Sequence, residues 1–118
     1  MAHDNLKERT FQFALRILEV VDVKPDSAKG RNIGGQLCRC GTSVAANYRA
    51  AARAKSKADF IYKLGIVEEE ADEALFWLEL IVRAGILPSV RLQPLILEGS
   101  EILAIIVSSI RTAKRNKA

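Results

Sequence analysis

Histidine and cysteine are scarce in this chain of 118 residues, and their scarcity excludes much. The one histidine is His3, and the two cysteines, Cys38 and Cys40, stand one residue apart. Thiols so placed offer no disulfide framework, and a reducing, cytoplasmic compartment fits them. A structural zinc needs a tetrahedral set of His and Cys ligands, which the chain does not supply. On a helix, neighbours two apart point about 200° from each other, so Cys38 and Cys40 neither share a metal nor pair. They read as a small core residue (Cys40) and a small interface residue (Cys38). The acidic run "EEEADE" (68–73) has no Glu-x-x-His partner helix of the di-metal kind and reads as solvated or ion-paired carboxylates. No histidine stands beside Ser43 to act as its base. We therefore expect no catalytic residue, no metal, no cofactor and no small-molecule substrate. Uninterrupted apolar runs of bilayer length are absent too, which argues against a membrane partner. The opening "MAHDNLKER" is polar and carries acids, unlike a secretory signal.

What the chain does have is helical periodicity, and length enough for one domain, residues 1–118. Residues 5–23 place Phe11, Ala14, Leu18 and Val21 on one stripe, with Phe13, Ile17 and Val20 beside it. Pro25 ends that helix, and 24–35 reads as a turn-rich connection. From 32 to 54, Ile33, Leu37, Cys40, Val44, Tyr48 and Ala51 fall in one narrow sector. Ser56, with Asp59 three residues on, caps a third helix over 57–84. Its stripe is Phe60, Leu64, Val67, Ala71, Leu75, Leu78 and Val82, and its second half, "ALFWLELIV", is apolar nearly all round. Such a helix needs cover on two sides, and a second copy of the chain is the simplest cover. Phe76 and Trp77 are the candidate anchors of that interface, with core packing as the alternative. Gly85 and Pro88 close the helix. A fourth spans 90–114, with Ser89 or Gln93 as cap, Pro94 near its first turn, and Ile102, Leu103, Ile106, Ile110 and Ala113 as its stripe. Its end carries Arg111, Lys114, Arg115 and Lys117, cations that suit a helix C-terminus, and the last residues should fray. The expected fold is all-α, an antiparallel up-and-down four-helix bundle.

Charge is uneven along the chain. The net is +4, but residues 1–58 stand at +6, 59–100 at −5 and 101–118 at +3. On the second helix, Arg31, Arg39, Arg49 and Arg53 form one stripe opposite the apolar one, with Gly35, Thr42 and Ala46 between them. Such a stripe suits a phosphate backbone. It also suits the acids of the third helix, where Glu68, Asp72 and Glu79 share a face. The stripe has no interleaved aromatics, so base stacking has little support. Gln36, Ser43 and Asn47 share a line bordering the apolar sector, where polar side chains satisfy each other or nearby backbone.

The stretch "GQLCRCGTSVAANYRAAARAKSKADFIYKLGIVEEEADEAL" resembles the bacterial four-helix-bundle family of 23S rRNA intervening-sequence proteins. Gln36, Arg39, Ser43, Asn47, Arg53, Asp59, Phe60 and Glu73 match the family pattern. Ala52 stands where the family has glycine, and the family's Phe-Pro after the first helix is missing. The likeness spans about residues 6–113, with its specific part at roughly 36–78. It implies a four-helix bundle that assembles as a homopentamer, without enzymatic activity, distantly related to a nucleic-acid-binding accessory protein of retroelements. The expectation is a non-enzymatic oligomer that binds nucleic acid, RNA in the first place and DNA as a second candidate, through Arg31, Arg39, Arg49 and Arg53. The alternative is a protein-interaction module or structural oligomer whose arginine stripe is used up in ion pairs.

Overall fold

A computed structural model describes residues 2–116 of the chain, with side chains from Asn5 onward. Four helices run in order: α1 (Ala2–Val23), α2 (Ala28–Ala52), α3 (Lys57–Arg83) and α4 (Ser89–Arg115). Short connections make neighbours antiparallel, and the bundle measures 51 × 22 × 20 Å. His3 and Lys117, both named above, lie outside the described side chains, as does most of the tail expected to fray.

α2 begins at Ala28, four residues before the expected start at Asn32. The Ser27 hydroxyl accepts the Gly30 amide at 3.1 Å and caps the helix, so "AKGRNIGG" is helical and not a connection. Two glycines show what the residue type does here. A Cβ on Gly41 would meet Ile17 at 2.7 Å, and one on Gly99 would meet Leu75 at 2.9 Å and the Phe13 ring at 3.0 Å. They let α2 approach α1, and α4 approach α1 and α3, more closely than any side chain permits.

At the second turn, the Ser56 hydroxyl accepts the Asp59 amide at 3.1 Å, and the Asp59 carboxylate accepts the Lys55 amide at 3.4 Å. At the other end of α3, Gly85 has φ 71°, its amide donates to Val82 O, and the Ile86 amide donates to Ile81 O. This pair of bonds is the Schellman closure that a left-handed glycine allows. α4 differs from expectation at its start. Pro88 is the capping position without a side-chain cap, Ser89 is the first helical residue, and Pro94 lies inside the helix beyond its first turn. The missing Pro94 amide deprives the Val90 carbonyl of its helical partner, at a residue that is exposed.

The core of α2 follows the expected line: Leu37, Cys40, Val44, Tyr48 and Ala51 are buried. α1 does not. Its buried line is Leu6, Thr10, Phe13, Ile17 and Val20, whereas Phe11 is 54% exposed and Leu18 43%. Thr10 can enter the core because its hydroxyl donates to Lys7 O at 3.1 Å. On α3, Ala74 and Ile81 are buried more fully than the expected Leu75 and Val82. α4 buries Leu92, Leu95, Ile102, Ile106 and Ile110. An ion-pair clasp joins α1 to α4: Arg9 donates from Nε to Glu98 Oε2 at 2.9 Å and from Nη2 to Glu98 Oε1 at 2.7 Å, and reaches Glu101 at 2.8 Å. The Arg9 guanidinium holds the Glu98 carboxyl below its ordinary range.

Candidate nucleic-acid interface

The four arginines, Arg31, Arg39 and Arg49 on α2 and Arg53 at its C-cap, do not share one environment. Arg31 pairs with Asp26 at 2.7 Å. Arg39 crosses to α3, where it pairs with Glu70 at 3.3 Å and with Glu73, and not with the expected face of Glu68, Asp72 and Glu79. Glu79 instead pairs with Arg83 on its own helix at 2.7 Å. The physical reason is rotation: α3 turns Glu70 and Glu73 toward the outer edge of α2, and the sequence does not reveal that angle. Arg49 and Arg53 are exposed and, among the described residues, have no ion-pair partner.

Glu73 is the hub of the paired half. It accepts from Arg39 and, at 3.2 Å, from Trp77 Nε1. These two donors, Arg39 first, hold its carboxyl below the ordinary range, and the Glu73 carboxylate in turn raises the guanidinium of Arg39. Cys40, buried nearby, donates from Sγ to Leu37 O at 3.6 Å, and burial pushes its thiol up to about 11. A thiol so raised is a poor nucleophile and a poor metal ligand. Among the described residues, no cluster of His, Cys, Asp and Glu has the makings of a metal site. No helix among the described residues is long and apolar enough to cross a membrane.

The antiparallel order brings the unpaired half of the stripe together with charge from elsewhere in the chain. The C-terminus of α2, the N-terminus of α3, the start of α1 and the end of α4 share one end of the bundle, where a hollow is lined by Lys7, Tyr48, Ser56, Lys57, Phe60 and Asn116, among others. Arg49 on the last turn of α2, with Arg53 and Lys55 just beyond the helix, leads into this end. Arg111, Lys114 and Arg115 flank it on α4, around a shallower hollow. The basic blocks at the two ends of the sequence therefore lie at the same end of the bundle. Their acid neighbours are committed elsewhere: Asp59 pairs with Lys63 at 3.3 Å, and Glu8 accepts from Gln12 at 2.7 Å. Lys7, Lys55, Lys57 and the α4 cations were not singled out with the arginines, although the runs "RAKSK" and "RTAKRNK" carry the signal.

The candidate interface residues divide as well. Phe76 is 55% exposed, while Trp77 is half-buried against the core, and their rings meet edge to face at 5.0 Å between centroids. On the opposite side of the molecule, exposed Phe11 and half-buried Ala14 line an apolar groove with Thr42, Ala45, Ala46 and Arg49.

The family model described as 23S rRNA-intervening sequence protein matches residues 4–108. The chain belongs to that family. It is also similar to the crystal structure of a protein of unknown function from the S23 ribosomal protein family of Bacteroides thetaiotaomicron. The two chains are 33% identical, the match covers 94% of this chain and 99% of the other, and the TM-score is 0.88. No curated protein matches the chain. For this member of the 23S rRNA-intervening sequence family, the residues that carried the resemblance have structural partners, apart from the exposed Arg53. Gln36 accepts from Arg39 Nε at 3.4 Å, and Asn47 Nδ2 donates to the Ser43 carbonyl at 2.9 Å. Asp59 caps α3, Glu73 binds Arg39 and Trp77, and Phe60 packs on the core below the basic end.

Proposed function

We propose that this family member is a non-enzymatic, cytoplasmic accessory protein that self-associates and binds nucleic acid, RNA in the first place, through the basic end of its bundle. One observation carries the reading: Arg49, Arg53, Lys55 and Lys57 lie at the same end of the bundle as Arg111, Lys114 and Arg115, and none of them has an acid partner among the described residues. Cations gathered in this way release counterions when they meet phosphates, which is the main source of sequence-independent affinity. Arg31 and Arg39, named with the others from the sequence, have a smaller share in this proposal because acids hold them. Self-association draws on the apolar side chains left outside: Phe11 and Leu18 on α1, Tyr62 and Phe76 on α3. The homopentamer implied by the family resemblance would present several copies of the basic end, and such repetition multiplies a weak site by avidity. The proposal assigns no catalytic residue, cofactor or small-molecule substrate.

A second reading, a protein-interaction module, draws support from the pairing of Arg39 with Glu70 and Glu73 and from the apolar groove beside Arg49. Labelled RNA and duplex DNA titrated across a salt series separate the two. A nucleic-acid binder retains both at low salt and loses them steeply as salt rises. No retention even at low salt supports the interaction module.

A further inference from the structure

Two hollows run together at the basic end. The first, of about 660 Å³, lies among α1, the α2–α3 turn and the end of α4. The second, of about 550 Å³, lies between α3 and α4. Both are lined by Phe60, Ala113 and Asn116, so they form one trough with the Phe60 ring at its middle. Each has the size of a site that takes a small organic group, roughly 300–1,000 Å³. The chemistry changes along the trough. Phe60, Ala51 and Ala113 give an apolar bed. Ser108, Ser109, Thr112 and Asn116 add hydroxyls and an amide, groups that both donate and accept. Cations stand at both rims, Lys7 and Lys57 on one side and the α4 arginines and lysine on the other. No carboxylate is among the residues that line these hollows, of those described.

We propose that this trough takes an unpaired base of a single-stranded RNA, stacked against Phe60, while the rim cations hold the phosphates on either side. The proposal rests on the nucleic-acid reading above and narrows it. A duplex keeps its bases inside and offers only a convex row of phosphates, which the rim can bind but the trough cannot use. A single strand can turn a base out onto an aromatic face and expose its hydrogen-bonding edges to hydroxyls and amides. The sequence alone gave no reason for this, because Phe60 reads as part of the apolar stripe of α3 and joins the α4 cations only through the fold.

The test compares a labelled single-stranded RNA with a duplex of the same charge, bound to the full chain at one salt concentration, for the wild type, Phe60→Leu and Thr112→Glu. Leucine keeps the apolar contact with the core and removes the ring face. Thr112 is exposed, so glutamate there places a carboxylate in the trough without disturbing the core. The wild type should prefer the single strand, and Phe60→Leu should weaken that binding about tenfold while the duplex is unchanged. Thr112→Glu should weaken the single strand more than the duplex, and it decides the matter if Phe60→Leu lowers thermal stability. Equal binding of strand and duplex, with both variants unchanged, overturns the trough and leaves the nucleic-acid reading standing. No binding of either at low salt overturns both. Binding of polyglutamate as tight as that of the RNA overturns the trough in favour of an acidic protein partner.

Discussion

Replacing Gly41 by alanine tests the packing of α1 on α2 at its closest point. The added Cβ would sit 2.7 Å from Ile17 Cγ1, 2.8 Å from Cγ2 and 3.1 Å from Cβ. These atoms belong to the stem of a β-branched side chain that is stiff at χ1 and fully buried, so Ile17 cannot swing aside. Either the rotamer strains or the helices separate, at a cost of ~1–3 kcal/mol. Alanine also recovers ~1 kcal/mol of helix propensity over glycine, so the net loss is about 1 kcal/mol. For a chain of this size that lowers Tm by about 4 °C. Gly35, on the same helix, is the internal control. A Cβ there meets nothing within 4 Å, so Gly35→Ala keeps the propensity gain and raises stability by up to ~1 kcal/mol. Urea melts followed by far-UV circular dichroism give both values, at fixed protein concentration because the proposed self-association would make stability concentration-dependent. If Gly41→Ala proves as stable as Gly35→Ala, Ile17 does not lie against Gly41 and the α1–α2 packing described here is wrong.

Two further predictions concern ion pairs. Trp77 is the single tryptophan, and its indole donates to Glu73, so its emission reports on that carboxylate. Glu73 is held below its ordinary value, so its contribution to stability is fully present above the unfolded value and is lost as pH falls through the folded one. The emission change should therefore come at a pH below the ordinary carboxylate range and move upward in Arg39→Gln. An unmoved midpoint would show that Arg39 does not bind Glu73. Arg9→Met should lower stability by about 1 kcal/mol, since the Arg9–Glu98 clasp is bidentate but partly open to water. That loss should shrink in high salt, and one that salt leaves unchanged would point to packing of the Arg9 stem instead.

The fold was legible because α2 has one clean apolar line and the turns carry strong signals: Ser56 with Asp59, and Gly85 before Pro88. It was misread where two patterns compete. α1 has apolar residues on two faces, and the one that carries Phe11 and Leu18 is the one left outside. The true core line passes through Thr10, a polar residue that satisfies itself against Lys7 O. The glycines of 30–35 look like a turn on paper, but Ser27 caps the chain before them and they sit within the helix. The candidate interface was half legible. The arginine stripe is a property of one helix and can be read from spacing. Its acid partners depend on how α3 is rotated against α2, and the basic end depends on residues from 7 to 115 meeting in space. Neither is written in any local pattern.

The salt dependence of RNA binding tests the central claim most directly. Each phosphate contact adds about 0.7 to the slope of log affinity against log salt for a single strand, so Arg49→Ala with Arg53→Ala should flatten that slope by about 1.4. The double variant should keep its melting temperature, since neither side chain has an ion-pair partner among the described residues. An unchanged slope with weaker assembly would contradict the account and make those arginines part of the contact between copies.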